Sequence, residues 1–131
     1  MSLLEKQKIQ SYKDLVVWQR AMELTVAVYT LTANFPKEEI YGLTSQMRRA
    51  VVSIPANIAE GRHRGTRKDF LNFLRIAYSS GAELETHMEI ARKLKFGNPE
   101  EYHLADTPLM EVMKMLGTML SRLKSSEAQS L

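Results

Sequence analysis

The sequence predicts an all-α protein, most simply an antiparallel up-down-up-down four-helix bundle. Three observations carry this. Apolar residues recur at steps of three and four in four separate segments. Helix caps and breakers bound those segments. No stretch alternates apolar and polar residues as a half-buried strand does, and no internal repeat is present. A chain of 131 residues, 44% hydrophobic and 25% charged, can bury one core but not two. A single domain over residues 1–131 is expected, with 1–11 and 125–131 fraying at its ends.

The first helix can start at Asp14, or at Ser11 with Asp14 completing a capping box, and it stops where Phe35 meets Pro36. It carries two apolar stripes: Leu15, Trp18, Met22, Val26, Tyr29, and Val17, Ala21, Leu24, Val28, Leu31, Phe35. Two apolar faces call for two partners, either a central place in the bundle or a surface for self-assembly. The second helix is expected from about Leu43 to Glu60, with Gly61 as its C-terminal cap. Met47, Val51, Ile54 and Ile58 keep one phase straight through Pro55, which points to one helix kinked near Val51 to Ile54. Gln46, Arg49, Ser53, Asn57 and Glu60 form a polar stripe along it. Such a stripe is either a solvated face or satisfied polar network between helices, or else the polar lining of a subunit interface or a binding surface.

Thr66 and Asp69 have the spacing that opens a third helix, expected to run to about Phe96 before "GNP" ends it. Phe70, Leu74, Ala77, Gly81, Leu84, Met88 and Ala91 make a heptad-like seam, the spine of the bundle. Leu71, Ile76, Tyr78, Ile90 and Leu94 fall off that seam and add apolar surface beyond what one bundle needs. The last helix is expected from Thr107-Pro108 to about Leu123, burying Leu109, Val112, Met113, Leu116, Leu120 and Leu123, with Met110, Met115 and Met119 as adaptable packing beside them.

Composition excludes much chemistry. With no cysteine there is no disulfide framework, thiolate metal site or Cys nucleophile, which fits a cytoplasmic location. No apolar run reaches the roughly 18 residues of a membrane span, and the first residues lack a signal-peptide pattern. Glu60 and His63 match a di-metal carboxylate motif once, across a helix end, where such sites need it twice. Glu83 with His87 reads as a surface pair, and His103 has no evident partner. No catalytic constellation, metal site or cofactor is expected.

Charge is more telling. Residues 48–75 carry seven Arg or Lys against two acids, whereas residues 83–111 carry seven acids against three cations, so a net charge of +3 conceals a polarised molecule. Arg62 and Arg64 follow the C-terminus of the second helix, where the macrodipole welcomes cations, but Arg67 and Lys68 stand in the first turn of the third, where it does not. Helix-start amides ringed by cations suit a phosphate-bearing ligand. Arg48, Arg49, Arg62, Arg64, Arg67 and Lys68 are therefore the candidate nucleic-acid contacts. The plainer reading is a solvated basic turn.

Three segments, "YKDLVVWQRAMEL" from Tyr12, "FPKEEIYGLTSQMRRAVVSIPANIAEGRHR" from Phe35 and "FLNFLRIAYSSGAELETHMEIARKL" from Phe70, together resemble one family. It comprises four-helix-bundle proteins that include those encoded in intervening sequences of bacterial 23S ribosomal RNA genes, with the accessory proteins of diversity-generating retroelements as a related group. The resemblance spans residues 12–96, and "SIPANIAEG" is its most specific part. It implies a ring-shaped homopentamer with a basic surface proposed to bind nucleic acid, and no established enzymatic activity. Ser79, Gly81 and His87 depart from the usual pattern, a matter of local packing in the third helix. Two functions follow as expectations: a non-enzymatic nucleic-acid-binding oligomer, or an interaction scaffold for a protein such as a reverse transcriptase.

Overall fold

The computed structural model describes the backbone of residues 11–130 and the side chains of residues 11–125. Four helices follow one another: α1 Val16–Thr32, α2 Leu43–Arg64, α3 Arg67–Lys93 and α4 Pro99–Ser130. Single 3-10 turns at Tyr12–Asp14 and Lys37–Glu39 lead into α1 and α2. The helices pack in chain order, α1 on α2, α2 on α3, α3 on α4 and α4 back on α1, with no close diagonal pair. Short connectors make successive helices antiparallel. The described residues contain no strand.

The core is built from the seams that periodicity picked out. Ala21, Leu24, Val28 and Leu31 of α1, Met47, Val51, Ile54 and Ile58 of α2, Leu74, Ala77, Leu84 and Met88 of α3, and Val112 and Leu116 of α4 are all at most 2% exposed. Of the two stripes on α1, the one beginning at Val17 faces this core. In the other, Met22, Val26 and Tyr29 are 41%, 65% and 42% exposed. Off the α3 seam, Leu71 is buried, whereas Ile76, Tyr78, Ile90 and Leu94 are exposed.

Local boundaries differ from the sequence expectations in four places. The Ser11 capping box forms, with Lys13 N donating to Ser11 Oγ and Ser11 N to Asp14 Oδ2, but it closes only the Tyr12–Asp14 turn. Extended Leu15 then intervenes before α1 begins at Val16. Gly61 does not cap α2. The helix runs on to Arg64 and ends at Gly65, whose φ of +86° suits glycine alone. Gly61 is instead a contact point: a Cβ there would lie 2.7 Å from Phe73 Cβ and 3.4 Å from Phe70 Cα, so its missing side chain lets α3 approach α2.

The third difference is at the end of α3, which stops at Lys93 and not Phe96. Lys95 and Gly97 then take positive φ values of 60° and 76°. The fourth is α4, which begins at Pro99 and passes through Pro108 without a break to Ser130, beyond the Leu123 expected. "GNP" is a helix start: Asn98 Oδ1 accepts from Glu100 N and Asn98 O from Glu101 N, and two glutamates occupy the first turn. Tyr102 and Ala105, 5% and 0% exposed, extend the α4 seam backwards through Leu109 and give the added turns a core to hold them. Residues 1–10 and 131 of the expected frayed ends lie outside the described residues.

Candidate nucleic-acid interface

The turn between α2 and α3 gathers the basic end of the molecule. Arg62 and Arg64 come from the last turn of α2, Gly65 reverses the chain, and Thr66 caps α3 by accepting from Asp69 N through its side chain at 3.1 Å. Arg67 and Lys68 follow at once, both exposed. The tight Gly61 contact just before the turn fixes where it sits. Arg62, half-buried, lines two adjoining shallow clefts. One is shared with Thr66, Arg67, Phe70 and Leu123, the other with Ser11, Tyr12 and His63.

The six candidate cations fall into two groups. Arg49 and Arg62 are thirteen residues apart on α2, about 20 Å at the helical rise, so Arg48 and Arg49 lie towards the opposite end of the bundle from the turn. Arg48 is also occupied: its Nε donates to Thr32 Oγ1 at 2.9 Å and its guanidinium sits 4.4 Å from the Tyr29 ring centre. It joins α2 to α1. Arg49 is exposed on the outer side of α2. At the turn, Arg64 is braced, 2.9 Å from Glu60 Oε1 and 5.1 Å above the Phe73 ring. Arg62, Arg67 and Lys68 are the cations that surround the start of α3.

The polar stripe resolves into an internal network. Ser53 Oγ and Ser80 Oγ lie 2.8 Å apart across α2 and α3, and Asn57 Nδ2 donates to Ser53 O at 2.7 Å and to Ser53 Oγ at 2.9 Å. Glu60 is held by Arg64, and Gln46 is exposed near the start of α2. Ser53 and Asn57 thus follow the bridging alternative. Pro55 lies buried within the continuous α2.

A second charged cluster stands at the far end of α3. Arg92 Nη2 donates to both carboxylate oxygens of Asp106, at 2.6 and 2.7 Å, and Nη1 to Glu89 Oε1 at 3.0 Å. Its guanidinium lies 4.7 Å from the Tyr102 ring centre, and Tyr102 OH donates to Phe96 O at 2.8 Å. Burial disfavours the Arg92 charge, but the hydrogen bonds and charges of Asp106 and Glu89 outweigh it and hold the guanidinium above its ordinary pKa. Burial pushes the Tyr102 phenol up, opposed by Arg92 and helped by Asp106. Among the described residues, no group of three or more His, Asp or Glu is placed to hold a metal ion, and no helix is long and apolar enough to cross a membrane.

Sequence reasoning missed Tyr12 and His63 beside Arg62, and Tyr102 beside Arg92. His63 stands between Arg62 and Arg64 in the sequence, but nothing local links Tyr12 to them.

The profile of the 23S rRNA-intervening sequence protein family matches residues 13–118. A solved structure from Bacteroides thetaiotaomicron, described as a protein with unknown function from the S23 ribosomal protein family, superposes with a TM-score of 0.70 at 27% identity. It covers 80% of this chain and 98% of its own. No curated protein matches.

Proposed function

The chain belongs to that family, and from this premise we propose that it is a non-enzymatic, oligomeric nucleic-acid-binding protein of the cytoplasm that contacts phosphates and not base edges. The observation that carries the reading is the convergence of Arg62, Arg67 and Lys68 on the first turn of α3, where the helix dipole alone would disfavour two of them. The family's name, which refers to 23S ribosomal RNA, makes RNA the first polyanion to test. The exposed second stripe of α1 supports self-assembly, and a ring of five copies at +3 each would carry about +15, a strong non-specific attraction. Pro55 removes one helical donor, leaving the Val51 carbonyl without its usual partner, and a bend there would set the direction of the basic turn.

A second reading is favoured by one contact. The protein is then a protein-interaction scaffold whose basic turn closes salt bridges between subunits: Arg64 already pairs with a carboxylate, Glu60, within its own helix. A salt titration of RNA binding with the Arg67→Gln/Lys68→Gln variant separates the two. On the first reading, log affinity falls linearly with log salt, each phosphate contact contributing a slope of roughly −0.7 to −0.9. The variant should then flatten that slope while oligomer size is unchanged. On the second, the oligomer weakens and there is no salt-sensitive binding to lose. Pro55→Ala should keep the bundle folded and alter RNA affinity or oligomer size. If both stay constant, the bend has no part in function.

A further inference from the structure

We infer that two opposite edges of the bundle are complementary, the α1/α2 ridge of one copy seating in the α3/α4 groove of the next. This rests on the assembly reading above and names the surfaces that make the assembly. Because the helices pack in chain order around four corners, the α1/α2 and α3/α4 edges face opposite ways.

The ridge is apolar with a basic border along its α2 side. Met22, Val26 and Tyr29 stand on successive turns of α1, and Val52 is 43% exposed one turn beyond Arg48, which itself stacks on Tyr29. Exposed Arg49 lies on the adjoining face of α2. The groove is apolar with an acidic border. Met88 and Leu109, 2% and 6% exposed, are its floor, Met113 is partly buried beside them, and Met110, 67% exposed, stands on its rim. Its volume is about 400 Å³. Glu85, Glu89 and Asp106 border it with Arg92, three carboxylates against one guanidinium, and Arg92 is already bonded to two of the three.

Scattered exposed apolar side chains need no explanation, but contiguous ones rimmed by polar residues mark an interaction site. The charges choose the occupant. A nucleic acid is repelled by the acidic groove. A ridge-to-ridge dimer sets Arg49 against its own copy, and a groove-to-groove dimer sets carboxylates against carboxylates. Ridge into groove places Val26 and Tyr29 among methionines, whose unbranched side chains adapt to a ridge, and brings Arg49 towards Glu85. Contact between two different surfaces repeats head to tail, and it closes into a ring when the rotation between copies divides the circle.

The test uses two disabled chains. Val26→Asp spoils the ridge but keeps the groove, and Met110→Asp does the reverse. Both positions are well exposed, so the bundle should stay helical by circular dichroism. Each variant alone should sediment as the 15.0 kDa monomer at micromolar concentration, and mixing them should give a one-to-one dimer, because each supplies the surface the other lacks. A charge swap provides an independent measurement should either aspartate disturb folding. Arg49→Glu should weaken assembly at least about tenfold, and Glu85→Lys in the same chain should restore it. If the unaltered protein assembles but the disabled chains remain oligomeric, or their mixture stays monomeric, or the swap is not rescued, these surfaces are the wrong ones while the assembly reading stands. If the unaltered protein is itself a monomer, both fall together.

Discussion

The two ends of α3 each carry a cluster of cations, and they are built on opposite terms. At the C-terminal end, Arg92 has the helix dipole in its favour, two carboxylates within hydrogen-bonding distance, and an aromatic ring against it. Everything about that arginine is explained by the fold. At the N-terminal end, Arg67 and Lys68 are exposed in the first turn, where the helix dipole disfavours them and Asp69 is the one acid of that turn. Cations that local electrostatics accounts for are structural. Those placed against the dipole of their own helix are the ones a phosphate-bearing ligand would favour. That contrast, more than the number of basic residues, makes the α2–α3 turn the candidate interface.

The contrast can be broken most forcefully by moving one end. Gly61→Val puts a branched side chain where even a Cβ would lie 2.7 Å from Phe73 Cβ, and Phe73 can yield only if α3 itself shifts. Losing the glycine gains helix propensity, but overpacking at a backbone contact should dominate, costing about 2–3 kcal/mol in denaturant unfolding. RNA affinity should drop with it, because the shift displaces the turn. At the other end, Asp106→Ala removes the bidentate partner of Arg92 from a half-exposed pair. Discounted for solvent screening, that should cost about 1 kcal/mol, with RNA binding unaltered. If both variants weaken RNA binding equally, the two ends are not functionally distinct.

The fold was legible wherever a seam repeated without interruption. Four helices and most of their core residues follow from spacing alone. The failures have one cause: a local signal can be read in two directions until tertiary packing chooses. Asn98-Pro99 is as good a helix start as a stop, and only Tyr102 and Ala105, packed on the core, decide for the start. Pro108 looked like a first-turn proline. It is tolerated inside α4 because the carbonyl it leaves unpaired belongs to Leu104, itself 65% exposed, so water can satisfy that group. Gly61 and Gly65 both suit a helix end, and the close approach of Phe73 assigns one to packing and the other to the turn. The basic turn was legible because its residues are consecutive. The separation of Arg48 and Arg49 from it was legible in principle from helical rise. The capture of Arg48 by Tyr29 and Thr32 was not, since it joins residues from two helices.

A smaller effect sharpens the contrast from the basic side. Replacing Arg67 and Lys68 with Gln removes positive charge from a helix N-terminus, so the bundle should be unchanged or more stable by a few tenths of a kcal/mol at low salt. Thermal unfolding at low and high salt measures it, and the gain should shrink as ions screen the dipole. A clear loss of stability would mean these side chains hold the fold as Arg92 does, and the distinction between the two ends would fail.

The smallest effect is silent at neutral pH and belongs to the structural end. Burial raises the Tyr102 pKa, Arg92 lowers it, and Asp106 raises it, with a net upward shift. The folded state therefore favours the neutral phenol. The stability this contributes is fully present below the ordinary tyrosine pKa of about 10 and is lost as pH rises through the higher folded value. Ultraviolet titration of the folded protein should show a phenolate component above about 10 that disappears in Tyr102→Phe. Asp106→Asn removes one charge that resists ionisation and leaves Arg92, which promotes it, so the same component should move downwards. An upward movement would mean that Asp106 acts on the phenol mainly by neutralising Arg92. The far end of α3 would then be one coupled triad of Asp106, Arg92 and Tyr102, and not a paired arginine with a buried phenol beside it.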